Sequence, residues 1–332
     1  MHVTQQDAPA ATAAPHAAPA RPAIIGAVAC AVVSGVLVAV QSRINGELGR
    51  QLGDGFAAAL ISFGSGLVIL LIALALWRPG RAGFRRLPAA LRDGRLRWWM
   101  LLGGAAGAFL VLTQGLTAAV LGVALFSVAT VAGQSISGLL VDRTTLVSGG
   151  PRPLTVPRVV GAVLAILAVI VSVATQLNGD APFWMLLLPF LAGLGLGWQQ
   201  AVNGRVRESA ESALTATVGN FAVGTVVLLV AFLVHALIVG WPQSLPTELW
   251  LYLGGVIGCV FIAAAAVLVR ITGALLLSLA MIAGQLVAAV VIDTTLPGHA
   301  GSLAVTTVVG TVLALAAVVV AGVNWRQFRR AA

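Results

Sequence analysis

Long apolar runs separated by short polar connectors dominate the chain, and they predict transmembrane helices. A helix that crosses the hydrocarbon core needs about 20 mostly apolar residues. Runs of about this length predict spans over residues 24–41, 56–77, 98–116, 123–141, 159–174, 182–200, 214–239, 249–269, 272–292 and 303–323. Only a weak break at 117–122 separates the third from the fourth, and little more than Arg270 separates the eighth from the ninth. Merging either pair would give a helix of roughly 40 residues, which is too long to cross a bilayer once.

Composition supports a membrane protein rather than a soluble one. Hydrophobic residues make up 59% of the chain and charged residues 9%, whereas a soluble domain carries about 25% charged residues. We therefore expect an all-α membrane protein of ten transmembrane helices, solvated by the lipid bilayer. The Ala- and Pro-rich residues 1–22 predict a disordered cytoplasmic tail, and residues 326–332 a short basic cytoplasmic tail.

The distribution of positive charge predicts the orientation. All nineteen basic residues are arginine, and seven of them lie in the connector over residues 78–97. Connectors rich in arginine stay on the cytoplasmic side. With ten spans, both termini are cytoplasmic and only Arg43 and Arg50 face outwards. The net charge of +9 belongs to these connectors, so it does not indicate a nucleic-acid partner.

The chain repeats itself. Gln41 and Asn45 recur as Gln199 and Asn203 at an offset of 158 residues. A later stretch recurs at an offset of 151 residues, so that Gln134 corresponds to Gln285 and Asp142 to Asp293. The repeats divide the chain into residues 23–178 and 179–325, each with five spans. Because five is odd, the second half enters the membrane from the opposite side. Inverted repeats of this kind are typical of secondary transporters.

The repeated motifs resemble a known family. The segment QSRINGELG returns as QQAVNGRVR, and each copy is followed by a small-residue helix of the form A…F..G. This arrangement resembles the YdcZ-like branch of the drug/metabolite transporter superfamily, whose members occur as single five-span units and as fused pairs. The resemblance implies an inner-membrane protein that moves small molecules by alternating access. Related small multidrug-resistance proteins carry a glutamate within the first helix, but here the first acidic residue of that region is Glu47, at its outer end.

Polar residues near mid-span are the candidates for the site, because unpaired polar groups are costly in hydrocarbon. Gln134 and Gln285 occupy equivalent central positions, where inverted symmetry would place them across a shared cavity. Their alternative role is a hydrogen bond that joins helices, worth about 0.6 kcal/mol. Asn220 is the other central candidate for the cavity wall.

Two further pairs lie near span ends. Gln41 and Gln199 stand four residues before Asn45 and Asn203, so each pair shares a helix face. These pairs are candidates for solute contacts and for gates at opposite mouths, or the asparagines cap helix ends before Gly46 and Gly204. The aspartates that end the fourth and ninth spans are candidates for gating contacts or for polar helix ends: Asp142, Asp293.

These observations favour a secondary transporter for a small metabolite or drug-like solute, with the cavity between the halves. A lipid flippase or scramblase is the alternative. A membrane enzyme lacks support because the chain offers no clustered acids, histidines or nucleophile at one face. No cofactor and no metal are expected, and a homodimer remains open.

Overall fold

The structure, a computed structural model, describes residues 21–146, 155–173, 184–242, 244–296 and 304–322. The secondary structure of these residues is helical, without strands. The basic tail at 326–332 and all but the last two residues of the tail at 1–22 lie outside the described residues. The helices are α1 (Arg21–Leu52), α2 (Gly55–Leu76), α3 (Arg78–Arg92), α4 (Trp98–Leu121), α5 (Val123–Val141), α6 (Val156–Val173), α7 (Trp184–Ala210), α8 (Ala213–Val239), α9 (Gly254–Thr295, after a 3-10 turn at Leu249–Leu253) and α10 (Val305–Gly322).

Length and composition make seven of these helical segments capable of crossing a membrane. They are Pro22–Leu52, Gly55–Leu76, Trp98–Leu121, Val123–Val141, Trp184–Ala210, Ala213–Val239 and Leu276–Thr295. Three shorter apolar helical segments lie at Val156–Ser172, Leu249–Ala265 and Val305–Val320. Together the ten segments fall, in order, on the ten predicted spans.

The break between the third and fourth spans is narrower than the sequence predicts. Helix α4 continues through the predicted weak region at 117–122, with a π-helical turn over Gln114–Ala118, and ends at Leu121. Gly122 alone separates it from α5, with φ = 78°. A left-handed backbone of this kind suits glycine, which has no Cβ.

The sequence predicts an interruption between two helices at Arg270, and this prediction is wrong for the secondary structure. Helix α9 runs without interruption from Gly254 to Thr295. Its sequence contains no proline, which is the residue that most strongly ends a helix. A charged or polar residue between two apolar runs therefore did not suffice to end the helix.

Helix α9 is nevertheless not straight, because both of its arms pack along α1. Gly258 packs against Gln41, and Gly284 packs against the backbone of Val32. On α1 these contacts are nine residues apart, or about 14 Å, whereas a straight helix from 258 to 284 would extend about 39 Å. The helix must bend back along α1, so its two arms match the two predicted spans 249–269 and 272–292.

The arginine-rich connector contains an amphipathic helix, α3, that the sequence analysis missed. Gly80, Gly83 and Ala90 are buried, and Gly80 and Gly83 pack against the start of α8. The arginines at 78, 81, 85, 86 and 92 are exposed. The signal for this helix was the spacing of small and apolar residues every three or four positions, which is typical of a helix with one buried face.

Contacts within the bundle repeat at equivalent positions of the two halves. Gly35 packs against the backbone at Met281 and Gln285, and Gly193 packs against the backbone at Thr130 and Gln134 in the same way. Each of these pairs joins one half to the other. The repeat in the sequence is therefore also a repeat in the packing, and the two halves interlock.

The two repeats also meet through their second spans. The equivalent residues Phe63 and Phe221 stack on each other with ring centroids 4.8 Å apart, and both are buried. Gly104 packs against the backbone of Asn220, and its counterpart Gly255 packs against that of Ser62. This self-complementary contact brings α2 and α8 together.

Candidate functional site

The first polar cluster joins α1, α4 and the start of α9. Gln41 Nε2 donates to the carbonyl oxygen of Gly254 at 2.7 Å, and Asn45 Nδ2 donates to Gln114 Oε1 at 2.7 Å. Gln114 Nε2 in turn donates to Ser42 Oγ at 2.9 Å. The polar side chains of this cluster are all buried, so the hydrogen bonds tie α1 to both neighbouring helices in a region without bulk water.

The second polar cluster is its counterpart in α7 and α8. Gln199 Nε2 and Asn203 Nδ2 both donate to Asn220 Oδ1, each at 3.0 Å. The structure thus brings three of the predicted site residues into one cluster. Gly107 and Gly103 leave room for Gln199 and Asn203, as Gly258 and Gly254 do for the residues of the first cluster.

Asn45 and Asn203 do not cap helix ends, and this interpretation is wrong. They lie inside α1 and α7, which continue to Leu52 and Ala210. Gly46 serves close packing instead, because a Cβ there would lie 2.9 Å from the backbone nitrogen of Ala119.

Gln114 is not among the predicted site residues. It has no repeat partner, since Ala265 occupies the equivalent position. The available signal was its position as a lone carboxamide inside an apolar run. Its two hydrogen bonds, to Asn45 and Ser42, make it the centre of the first cluster.

Gln134 and Gln285 lie on α5 and α9, which pack against each other. Gln285 is buried, and its Nε2 lies 3.4 Å from Ser127 Oγ. Gln134 is half-buried, and its side chain has no hydrogen bond to any residue that the structure describes. Ser127 precedes Gln134 by about two helical turns, or about 10 Å along α5, so Gln285 contacts α5 well away from Gln134. The backbone of Gln134 instead packs against Gly193 of α7.

Asp293 and Asp142 make different contacts although they are repeat equivalents. Asp293 is buried, and its two carboxylate oxygens accept the backbone N–H groups of Val123 and Ala124 at 3.0 and 2.7 Å. It therefore caps the start of α5, where Gly122 offers no side chain of its own. Asp142, by contrast, forms an ion pair with Arg158 at 2.6 Å.

The chemistry available in both clusters is that of neutral amides. Carboxamides donate and accept hydrogen bonds without carrying charge. Among the described residues, no group of three or more His, Cys, Asp or Glu side chains could hold a metal ion. The arrangement suits binding and release of a polar solute through hydrogen bonds.

Comparison with known families decides the identity of the chain. Residues 26–171 and 184–320 match the family DMT_YdcZ, described as an inner membrane exporter, YdcZ. The chain belongs to this family. The two matches fall one in each half, so the YdcZ unit occurs twice in this protein. Family membership confirms the resemblance drawn from the repeated motifs and makes the protein a multi-pass transporter of the inner membrane. No curated protein matches the chain.

Proposed function

We propose that this YdcZ-family protein is a secondary transporter that moves a small uncharged or zwitterionic solute by alternating access between two inverted five-helix halves. The observation that carries this proposal is the repetition of contacts between the halves. Because Gly35 and Gly193 make closely similar backbone contacts, each of these contacts has a counterpart between the halves. Two equivalent interfaces allow one to loosen while the other tightens, as rocking of repeats requires.

Differences between equivalent residues support a state that is closed on the predicted outer side. Asn45 is 0% exposed, whereas its counterpart Asn203 is half-buried. Asp293 holds the start of α5, whereas Asp142 is paired with Arg158 within its own half. In the opposite state these environments exchange, so that the region around Asn45 opens and the region around Asn203 closes.

Contacts near the helix ends support the orientation of the ten spans. Asp54 lies 3.8 Å from His235, and both belong to ends that are predicted to face outwards. Arg86 donates to the carbonyl oxygen of Ala210 at 3.2 Å, and both belong to ends that are predicted to face the cytoplasm. In this proposal the arginine-rich connector is cytoplasmic and, with an even number of spans before it, so is the N-terminus.

In this account the solute contacts amide side chains of both halves, and the helix-end residues act as gates. The solute-contacting residues are Gln134, Gln285, Asn220, Gln41 and Gln199. The gates are Asn45 and Asp293 on the outer side and Asn203 and Asp142 on the inner side.

Transport by reconstituted protein tests the proposal. Proteoliposomes are screened for uptake against a panel of uncharged and zwitterionic solutes, and Gln134→Ala with Gln285→Ala is compared with wild type. We expect uptake to fall about tenfold or more, because each hydrogen bond lost between a glutamine side chain and the solute contributes about 1 kcal/mol. Gln200→Ala, at an exposed position of α7, is the matched control and should leave uptake unchanged.

Two outcomes count against the proposal. Uptake that survives in the double variant would remove both glutamines from the site. Movement of fluorescent lipid headgroups across the liposome membrane, without uptake of any solute, would favour a lipid flippase instead.

Sedimentation of the purified protein determines whether a homodimer forms.

A further inference from the structure

We propose that the arginine row of α3, formed by Arg78, Arg85 and Arg92, binds the phosphate groups of anionic phospholipids in the membrane leaflet beside it. The partner is a lipid whose headgroup carries a net negative charge, such as phosphatidylglycerol. The inference goes beyond transport and uses the proposed orientation only to assign the row to the cytoplasmic leaflet.

The three arginines of the row lie on one face of α3. They follow each other at intervals of seven residues, which turn an α-helix through almost two full turns. Their Cα atoms therefore stand in line, about 10 Å apart. All three arginines are exposed, whereas Gly80 and Gly83 on the opposite face are buried.

Contacts on the buried face hold α3 against the start of α8, which belongs to the other half. Thr215 Oγ1 donates to the carbonyl oxygen of Gly80 at 2.7 Å. A Cβ at Gly83 would collide with Thr215 and would lie 2.9 Å from the side chain of Ser212. Because this face is fixed against the bundle, the arginine row must point away from the bundle.

Both ends of α3 lie at the edge of an exposed apolar surface. Helix α2 ends at the exposed Leu76, and the exposed Trp77 directly precedes α3. At the other end the N–H of Leu96 donates to the carbonyl oxygen of Ala90 at 3.0 Å, so the chain folds back on α3 two residues before the exposed Trp98. Tryptophans at span ends lie at the level of the lipid headgroups. Helix α3 therefore runs along the membrane surface and does not project away from it.

The positive charge of the arginine row is not neutralised by the protein. Two neighbouring arginines of the connector have acidic partners: Arg86 lies 3.0 Å from Glu211, and Arg95 lies 3.0 Å from Asp93. The three arginines of the row form no ion pair or hydrogen bond with any residue that the structure describes. Three guanidinium groups at headgroup level are thus available to an external anion.

The chemistry of the row fits a phosphate group. A guanidinium presents its N–H groups in a planar fork that matches two phosphate oxygens. Basic segments beside a membrane are attracted to anionic lipids of the cytoplasmic leaflet. A zwitterionic lipid carries its own cation next to the phosphate, so its net attraction to the row is weaker.

Native mass spectrometry of the purified full-length protein in detergent measures lipid binding directly. Phosphatidylglycerol and phosphatidylcholine with the same acyl chains are titrated, and the ratio of their Kd values gives the preference for the anionic lipid. The test variant is Arg85→Gln with Arg92→Gln. The matched control, Arg86→Gln with Arg95→Gln, lies in the same connector and removes the same charge, but from arginines that are paired with acids.

We expect wild type to prefer phosphatidylglycerol, and this preference to fall about 25-fold in the test variant, because each arginine beside an anionic surface contributes about fivefold. The control should lose about fivefold at most, because its arginines act on the headgroups only through a screened field. If the test variant does not fold, Arg92→Gln alone, at the last residue of α3, should lower the preference about fivefold.

Three results would overturn the lipid-binding row. They are equal affinity of wild type for the two lipids, equal losses in the test variant and the control, and displacement of phosphatidylglycerol by an equal concentration of glycerol phosphate. The last result would indicate a soluble phosphate compound instead. Uptake of a solute by proteoliposomes is measured separately, so failure of the lipid row leaves the transport proposal standing, and a lipid preference without any uptake contradicts the transport proposal alone.

Discussion

Replacement of Asp293 by Asn should lower the free energy of unfolding by more than the loss of a single surface hydrogen bond would. The carboxylate of Asp293 holds two backbone N–H groups at the start of α5, at 3.0 and 2.7 Å, from a helix of the other half. Hydrogen bonds to a charged group contribute about 1.5–3 kcal/mol each. The asparagine keeps one acceptor oxygen but turns an NH₂ group towards the second N–H, so we expect a loss of about 2 kcal/mol.

The assay is thermal unfolding of the purified protein in detergent at a fixed heating rate. The entropy of unfolding is about 2.1 cal/mol/K per residue. For a chain of 332 residues, a loss of about 2 kcal/mol should therefore lower Tm by about 3 °C. The matched control is Asp142→Asn at the equivalent position. This substitution breaks the ion pair between Asp142 and Arg158, whose side chains are 18% and 21% exposed, respectively. Ion pairs that solvent reaches contribute about 1 kcal/mol or less.

The comparison between the two aspartates decides the outcome. The reasoning requires a larger drop in Tm for Asp293→Asn than for Asp142→Asn. A Tm for Asp293→Asn within about 1 °C of wild type, or a larger drop for the control, would refute the role of Asp293 as the cap of α5.

Two further sets of substitutions test the packing between the halves. Gly193→Ala should lower stability by about 1–3 kcal/mol through overpacking, since its Cβ would collide with the backbone of Thr130. The control Gly64→Ala, whose Cβ meets nothing within 4 Å, should be neutral or stabilising in thermal unfolding. Equal effects of the two substitutions would contradict the close approach of Gly193 to Thr130. Phe63→Ala and Phe221→Ala should each lower the free energy of unfolding by about 3–5 kcal/mol. A double-mutant cycle should show coupling of about 0.5–1.5 kcal/mol from the stacked rings. Losses that simply add would contradict direct contact between the two rings.

The sequence predicted the positions of the helices well because hydrocarbon imposes a length that apolar runs must match. It failed where tertiary packing decides the local structure. Gly46 was interpreted as the end of a helix, but the approach of α4 explains that glycine, and α1 ends at Leu52, before Gly53 with its positive φ. Helix α3 was missed because its arginines dominated the interpretation of the segment.

The candidate site was predictable only in part. The repeat drew attention to Gln41, Gln199 and their asparagine neighbours, because a polar pair that recurs inside apolar runs is visible in the letters alone. Which residues share a cluster depends on how α4, α8 and α9 approach them, and no local pattern contains that information. Gln114 therefore entered the first cluster only in the folded chain.

The central claim is that the two halves cross the membrane in opposite directions, and residues 53 and 211 test it most directly. Gly53 and Glu211 are repeat equivalents, both are exposed, and both end a helix with positive φ, 64° and 50°. Single cysteines at these positions, in a protein with Cys30 and Cys259 replaced by serine, are labelled in intact cells with a membrane-impermeant maleimide. The account predicts labelling at 53 from outside and at 211 only after the cells are permeabilised; labelling of both positions from the same side would contradict it.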